Sequence, residues 1–434
     1  MKASRASRAL AFLVGWMAVA GAAGAQDPAP DPQEKQVRPP DTTPLLEATQ
    51  PPQKAVPLKD IFDVIRELRH KPPKRPAGAE DYKRLMIAAS PVISYSPASG
   101  FGIGGAGNVA FYRGLPEATR ISSGVGSLIV TTKEQLLFNA KLDVSAPNNR
   151  WVFHGDNRLY WTSQDTYGLG TSTTSAEAVN AKYNFFRFNE SLFRQVRPNL
   201  YVGAGLLYNI HNNVRPDEDS ASAWPDSPYI DYSTQFGFDL DSQTSAGVSA
   251  HALLDSRDGA INPSRGFYVG LDYQLFFEGF LGGSSNWQQL NYDLRTYLRL
   301  SGNARHTLAF WFFGNLVTGG TAPYLDLPTT GMDTYGRSGR GYGQGRFRGQ
   351  RLVYGEVEYR TTLTRNGLVG MVAFINTETL SNEQTGERLF DSFATGAGLG
   401  LRLLINKRSK TNLCVDVAWG REGSHVYLAV QEAF

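Results

Sequence analysis

Hydrophobic and polar residues alternate with a period of two over most of the chain beyond about residue 85. Residues 289–300 illustrate the pattern, since an apolar face alternates with a polar one: Leu290, Tyr292 and Leu294 against Asn291, Asp293 and Arg295. Residues 267–278 and 137–144 repeat it. Successive side chains of a β-strand point to opposite faces, so this period predicts strands rather than helices.

About sixteen such runs occupy residues 85–434, and an even number is typical of single-chain bacterial membrane barrels. Charged residues lie on the second face of many runs, which indicates a polar lumen rather than a second core. Joints such as 146–149 and 365–367 are short, whereas those near 215–243 and 318–350 are long. We predict an all-β fold, a transmembrane antiparallel β-barrel of about 16 strands, with short turns in the periplasm and long loops outside.

Residues 1–25 have the three parts of a secretory signal peptide. A positive region carries Lys2, Arg5 and Arg8, an apolar region covers residues 9–20, and Ala23-Gly24-Ala25 forms a cleavage site. The apolar run has about a dozen residues, whereas a transmembrane helix needs roughly 18 to 20. We therefore expect cleavage after Ala25 and export, with the barrel in the cell outer membrane.

Prolines crowd residues 26–84, which predicts an extended periplasmic linker rather than a packed domain. Within it, Ile61, Ile65 and Leu68 form one stripe of a short helix in residues 58–70. This helix either docks at the periplasmic mouth of the barrel or remains a marginal helix in a disordered tail.

The amino-acid composition further limits the classes of protein that fit this chain. Aromatic residues make up 12% of the chain and there are 45 glycines, as suits a barrel with aromatic belts. The net charge of +3 is too small to indicate a polyanionic partner, so we expect no nucleic acid. Cys414 is the single cysteine and can form no internal disulfide. Because it lies in a strand pattern with Val415 and Val417, we expect it to be a small packed residue in the core or on the lumen side.

Three segments together resemble the barrel of the BamA/TamA family, the outer-membrane assembly-factor superfamily. The first is Gly-Tyr-Gly-Gln-Gly-Arg-Phe-Arg-Gly-Gln at 341–350, followed by Val-Tyr-Gly-Glu-Val-Glu-Tyr-Arg at 353–360. The second is Asp-Ser-Arg-Asp-Gly at 255–259 with Asn262-Pro263 and Arg265-Gly266, and the third is Gly-Ala-Gly-Leu-Gly-Leu-Arg at 396–402. The resemblance covers roughly residues 85–434.

The resemblance implies that the loop containing Phe347, Arg348 and Gly349 folds back into the lumen, where Arg348 meets an acidic residue of the barrel wall. Glu356 and Glu358 share one strand face and are the candidate partners, because a guanidinium in a narrow lumen needs a carboxylate. The alternative is that Arg348 belongs to a basic external loop.

Two positions depart from the family pattern around this loop. Gln350 stands where an aromatic residue is usual, and Asn376 where an aspartate is common. A further departure is that residues 26–84 fit no POTRA module, so the resemblance implies a stand-alone barrel of the surface-antigen type.

The chain ends on Phe434, which resembles the C-terminal signal read by the barrel-assembly machinery during insertion. Val426, Leu428 and Val430 share the face of Phe434 in an alternating run that predicts a last strand at 424–434. Glu432 stands where this signal usually carries a hydrophobic residue. The expected partners are outer-membrane lipids and the assembly machinery, with the client or solute left open.

Several chemistries find little support, and we expect no enzyme, no cofactor and no metal. The chain has no Gly-x-Ser-x-Gly elbow, and His154 with Asp156 is a remote catalytic candidate. The acidic residues of 217–231 match no calcium-binding loop, so a solvated surface is the preferred interpretation.

Two functions remain. The first is insertion or translocation of protein or lipid, with the first and last strands meeting at a weak seam. Pro91 suits such a seam because it lacks a ladder donor, although it could equally mark only the start of a strand. The second is a passive pore or structural surface antigen whose lumenal loop acts as a plug.

Overall fold

The computed structural model describes residues 57–72, 84–96, 100–300, 305–334 and 336–434. They form one antiparallel sheet of sixteen strands that follow one another in chain order. The strands are β1 Met86–Ser96, β2 Gly100–Phe111, β3 Ser122–Thr131, β4 Leu136–Ser145, β5 Trp151–Thr166, β6 Val179–Arg197, β7 Leu200–Pro216, β8 Gln243–Asp255, β9 Gly266–Phe276, β10 Trp287–Arg299, β11 His306–Gly320, β12 Arg351–Thr362, β13 Val369–Leu380, β14 Ala394–Asn406, β15 Thr411–Gly420 and β16 Gly423–Val430. The helices are α1 Ile61–Leu68 and α2 Pro228–Gln235.

The alternation of the sequence separates an apolar exterior from a polar interior. In β14 every second residue is buried, and the outward Leu399 and Leu401 are 52% and 60% exposed. The inward Arg402 of the same strand is 5% exposed. The predicted 16-stranded barrel, with its polar lumen, is therefore confirmed, and it is nearly closed.

The connections sort into two ends of the barrel, because alternate hairpins of an antiparallel sheet share an end. The four longest connections, residues 167–178, 217–242, 321–350 and 381–393, lie together at what we name the long-loop end. Helix α2 belongs to the second of them. Connections 146–150, 198–199, 363–368 and 407–410 lie at the opposite, short-turn end.

The first and last strands meet at a seam that is not sealed by backbone hydrogen bonds. Within the described ranges, ladders join each strand to the next from β1 to β16, and none joins β16 back to β1. Side chains close the seam instead, in a buried cluster of Ala88, Ile405 and Val430. Pro91 lies in the middle of β1 rather than at its start, as an edge strand tolerates.

Helix α1 forms where the sequence predicted it and docks beside this seam. Its start is capped reciprocally by Asp60 and Asp63, each of which accepts a hydrogen bond from the other's backbone N–H. Ile61 packs against the seam cluster, and Lys407 of the β14–β15 turn lies 2.5 Å from the Asp63 carboxylate. Partial burial acts to raise the pKa of Asp63, but the hydrogen bond and charge of Lys407 hold it below its usual value.

The last four residues leave the sheet, so the predicted strand to Phe434 is wrong. Strand β16 ends at Val430, and Gln431 adopts a φ of 100° that turns the chain into the lumen. Phe434 is 4% exposed and stacks on Trp311 with a 5.2 Å centroid distance. Glu432 forms an ion pair with Arg402, which explains why a charged residue stands at this position. Cys414 is buried on the lumen side behind this tail, as expected.

Among the described residues, no helix is long and apolar enough to cross a membrane. The expected signal peptide, its cleavage at Ala25 and most of the proline-rich segment lie outside the described residues.

Replacing Phe434 with alanine should lower the free energy of unfolding of the folded barrel. The ring is buried against Trp311 and Tyr297, and truncating a buried phenylalanine costs about 3–5 kcal/mol. Urea unfolding in phospholipid vesicles measures the change. Phe390→Ala, at a 59% exposed phenylalanine of the 381–393 loop, is the matched control and should change stability by less than about 0.5 kcal/mol. Equal losses in both variants would contradict the packing of Phe434 in the lumen.

Candidate functional site

The connection between β11 and β12, residues 321–350, folds back inside the barrel, and we name it the inner loop. Its first half packs Tyr324, Leu325 and Leu327 against inward side chains of the wall, including Tyr183 and Phe185. Its second half packs Tyr342 and Phe347 into a second cluster, which also holds the C-terminal residues Ala433 and Phe434. Apolar packing thus carries the inner loop into a lumen that is otherwise polar.

Arg340, at the tip of the inner loop, is the charge centre of the lumen. Its guanidinium donates to the carboxylates of Glu356, Glu358 and Asp416, at 2.5 Å for Glu358 and 2.8 Å for Asp416. The guanidinium carbon also lies 3.4 Å from the ring centroid of Phe374. Arg340 is 1% exposed, so a single buried cation bridges acids from two strands, β12 and β15.

The backbone at the tip is held as closely as the side chain. The Asn376 amide donates to the Arg340 carbonyl at 2.8 Å, so the residue found where the family often has aspartate binds the loop main chain. Gly341 has a φ of 114°, which favours glycine. A Cβ at Gly396 would come within 2.2 Å of the Arg340 carbonyl oxygen, so only glycine allows this approach.

Two chains of alternating charge lead from Arg340 to the C-terminal tail. In the first, Glu358 also accepts from Arg360 at 2.6 Å, and Arg360 donates to the Phe434 carbonyl at 2.9 Å. In the second, Asp416 also accepts from Arg402, at 2.5 Å, and Arg402 donates to Glu432 at 2.7 Å. The inner loop from one end and the tail from the other are therefore joined through the wall residues between them.

Arg348 is buried inside the barrel at 3% exposure, but it does not take the partners expected for it. Its guanidinium donates to the carbonyls of Tyr324 and Leu325 at 2.9 and 3.1 Å and to Gln164 at 3.3 Å. Glu356 and Glu358 pair with Arg340 instead, which corrects the expected Arg348–glutamate contact. The physical reason is reach: Arg348 lies at the base of the inner loop and ties its two halves together, whereas Arg340 lies at the tip.

The neighbours of Arg348 complete the base of the inner loop. The Phe347 carbonyl accepts from Thr329, and the Gly349 N–H donates to the Pro328 carbonyl at 3.0 Å. Arg346 is 2% exposed and forms an ion pair with Glu422 of the β15–β16 turn. The arginines at 340, 346 and 348 are all buried, unlike the side chains of an external basic loop.

Sequence reasoning found the acidic pair Glu356 and Glu358 but missed Arg340 as their partner. It also missed Asp416, which shares Arg340, and Arg402, which pairs with Asp416. A weak signal existed, because Arg402 ends one of the three family-like segments and Arg340 immediately precedes another. Strand alternation places Asp416 and Arg402 on the lumen side, but it does not apply to Arg340, which lies in a loop. Nor can it indicate that Arg340 meets Asp416, 76 residues along the chain.

A cavity of about 280 Å³ remains between the inner loop, the tail and the wall. Its lining includes a Ser–His–Asp set that joins β6, β8 and β9 across β7. His251 Nδ1 contacts the Asp272 carboxylate, while Nε2 lies 2.9 Å from the Ser191 hydroxyl and 2.8 Å from the Ser249 hydroxyl. A Cβ at the intervening Gly205 would lie 2.5 and 2.6 Å from the two hydroxyls, so glycine makes the contact possible.

The three side chains are arranged like the Ser–His–Asp triad of a nucleophilic enzyme, but among the described residues the site lacks an oxyanion hole, which acyl transfer also requires. Such catalysis needs unengaged donors aimed at the developing oxyanion. Ser191 lies in a strand that is laddered on both sides, opposite His154 of β5 and Gly205 of β7. These two ladders engage the backbone N–H groups around Ser191. We interpret the set as a structural polar bridge.

The other candidates from the sequence stand apart from this set. The imidazole of His154 lies 3.6 Å from Asp143 rather than beside Asp156, whose carboxylate is paired with Arg158. In the part of the chain that the structure describes, no group of three or more His, Cys, Asp or Glu side chains is arranged to hold a metal ion.

Comparison with known families gives one match over most of the barrel. The sequence model described as the Omp85 superfamily domain matches residues 131–406, more than half of the chain. No curated protein matches the chain.

Two solved structures are similar to this chain. BamA from Haemophilus ducreyi lacking POTRA domains 1-3 is 14% identical, covers 80% of this chain and has a TM-score of 0.49. CdiB from Acinetobacter baumannii is 12% identical, also over 80% of this chain, with a TM-score of 0.51. The chain spans 69% of that BamA structure and 60% of that CdiB structure.

Removing the Arg340 cation should loosen the inner loop and raise the conductance of the barrel in planar bilayers. Arg340→Met leaves Glu356, Glu358 and Asp416 without their shared partner, and breaking a buried ion pair costs about 3–5 kcal/mol. Arg348→Met should raise the conductance less, because its donors go largely to backbone carbonyls. Arg351→Met, at an exposed arginine of β12, is the control and should leave the conductance unchanged. A larger effect from Arg348→Met would overturn Arg340 as the main anchor.

The interpretation of the Ser–His–Asp set as structural predicts that a fluorophosphonate probe does not modify the folded barrel. Intact-protein mass spectrometry measures the modification. Adduct formation at Ser191 that disappears in His251→Ala, with Ser249→Ala unaffected, would establish a nucleophile and contradict this interpretation.

Proposed function

Because the chain belongs to the Omp85 superfamily, we propose that it is an insertion or translocation barrel whose first and last strands separate toward lipid. The protein is an outer-membrane β-barrel of this superfamily, which is linked to protein insertion and secretion and is generally non-enzymatic. The observation that carries the proposal is the seam, where β1 and β16 meet without a backbone ladder in the described residues.

The energetics of the seam favour opening there rather than elsewhere. Separating any two laddered strands breaks a row of hydrogen bonds, each of which contributes about 0.5–1.5 kcal/mol. At the seam, separation breaks side-chain packing such as that of Ala88 with Val430. Unpaired strand edges are also costly in lipid, so the edges of β1 and β16 favour pairing with an incoming strand.

The C-terminal tail contributes to this weakness. Strand β16 has eight residues, whereas β1 has eleven, because residues 431–434 turn into the lumen. Contacts of Glu432 with Arg402 and of Phe434 with Arg360 hold these residues inside the barrel. They therefore cannot extend the edge of β16 that faces β1. The ion network of the lumen thereby supports an unsealed seam.

A passive pore or structural surface antigen with a plug loop is the second candidate. It is favoured by the packing of the inner loop and the tail in the lumen, which leaves a cavity of about 280 Å³ between them. Steady conductance in the native protein, before any replacement of Arg340, would support this function.

The proposal includes a direction and a maturation path. The expected signal peptide ends at Ala25, the proline-rich segment precedes the barrel in the periplasm, and the short-turn end faces the periplasm. Phe434 would be read by the assembly machinery before it turns into the lumen, with outer-membrane lipids as the other partner.

Locking the seam should abolish insertion activity. The assay follows a urea-denatured outer-membrane barrel as it folds into vesicles containing this protein, by heat-modifiable gel mobility. Ala88→Cys with Val430→Cys, in a Cys414→Ser background, places two thiols in the seam cluster. We expect the uncross-linked protein to speed folding of the probe, the disulfide to abolish that effect, and a reductant to restore it.

A matched cross-link controls for rigidity. Val417 and Val426 are ladder partners in β15 and β16, so a disulfide between cysteines there leaves the seam free and should preserve activity. If the uncross-linked protein has no effect on folding of the probe, or if the seam disulfide leaves that effect intact, lateral insertion is wrong.

A further inference from the structure

We propose that the outer face of α1 binds the anionic phospholipid interface at the short-turn end of the barrel. The face comprises Phe62, Ile65 and Leu68, which are 58%, 37% and 75% exposed, and Leu58, just before the helix, adds a side chain that is 52% exposed. This inference concerns the membrane contact of α1 and stands independently of the lateral-opening function.

Helix α1 has a wider apolar arc than its docking uses. Positions 61, 62, 65 and 68 follow helical spacing, so Ile61 and Phe62 lie on adjacent parts of one apolar surface. Ile61 packs against the seam cluster, while Phe62 and Leu68 remain exposed. The barrel therefore covers one side of the apolar arc, and a second apolar environment fits the rest.

The docking contacts fix which side of α1 faces outward. The Lys59 N–H donates to the Asn366 carbonyl at 3.0 Å, and Lys407 binds the carboxylate of Asp63. Both partners belong to turns of the short-turn end, between β12 and β13 and between β14 and β15. These contacts hold α1 at the rim, where the lipid-facing surface of the wall ends.

Neighbouring apolar side chains make the outer face of α1 continuous with that lipid-facing surface. Leu85 and Ile87, at the start of β1, are each 61% exposed, and Leu363 after β12 is 55% exposed. Large apolar patches of this kind on a soluble surface mark contact sites. Here the patch lies along the end of a membrane wall, which favours lipid over a protein partner.

The charges around the patch complement anionic headgroups. Arg69 and Lys71 are exposed at the end of α1, and Arg365, Arg408 and Lys410 are exposed on the adjoining turns. Helices that lie in the membrane interface combine an apolar face with lysine and arginine at its border. Basic residues near a membrane surface attract anionic lipids.

The test places an environment-sensitive fluorophore on each side of α1 in the full chain. Phe62→Cys and, as control, Glu67→Cys on the polar side are labelled with a nitrobenzoxadiazole dye in a Cys414→Ser background. The barrels are reconstituted into phosphatidylcholine–phosphatidylglycerol vesicles carrying a shallow spin-labelled lipid. We expect blue-shifted emission at residue 62 and quenching about twofold or more above that at residue 67. Heat-modifiable gel mobility checks that both barrels are folded.

The alternatives give different results. Equal, water-like emission at residues 62 and 67 would overturn lipid binding. Equal quenching at residue 62 in vesicles of phosphatidylcholine alone would overturn the role of anionic headgroups. A blue shift that grows with protein density, without quenching by the spin-labelled lipid, would identify a second copy of the chain as the occupant instead. None of these readouts depends on whether the barrel inserts clients.

Discussion

The interior of the barrel depends on the ion network around Arg340. Three carboxylates from two strands meet at one guanidinium that is 1% exposed. Buried acids so close together repel one another unless a cation lies between them, and an unpaired charge in this setting is strongly destabilising. Because the cation comes from the tip of a long connection, the inner loop fills the lumen as it supplies the shared partner of these wall carboxylates. The inner loop is thus a structural component of the barrel rather than an appendage to it.

The same network also acts on the opposite end of the chain. Glu358 and Asp416 each bind a second arginine, and those arginines hold Phe434 and Glu432. Drawing the tail inward shortens the last strand at the place where it would pair with the first. A filled lumen and an unsealed seam therefore have a common cause. An insertion barrel needs both features, because a wall that parts toward lipid must not leave an open channel through the membrane.

Helix α1 extends this organisation to the outside of the wall. It packs where the seam is closed only by side chains, and it is tied to two turns by Lys59 and Lys407. Its remaining apolar face and the basic residues beside it match the boundary between membrane and water. Both ends of the chain outside the sheet are thus held by combined apolar and polar contacts, α1 at the rim and the C-terminal tail in the lumen.

The sequence by itself determined the strands, their inward and outward faces, the even strand number and the short helix, because these follow from periods of two and of 3.6 residues. It also placed Glu356 and Glu358 on the lumen side. Only the tertiary structure decided that Arg340 rather than Arg348 meets them. Alternation predicts which face of a strand carries a residue, but not how far a loop extends into the lumen. The ending of β16 has a similar reason. Alternation favours a strand to Phe434, but Glu432 binds Arg402, thirty residues away in the chain, and this long-range ion pair draws the tail into the lumen.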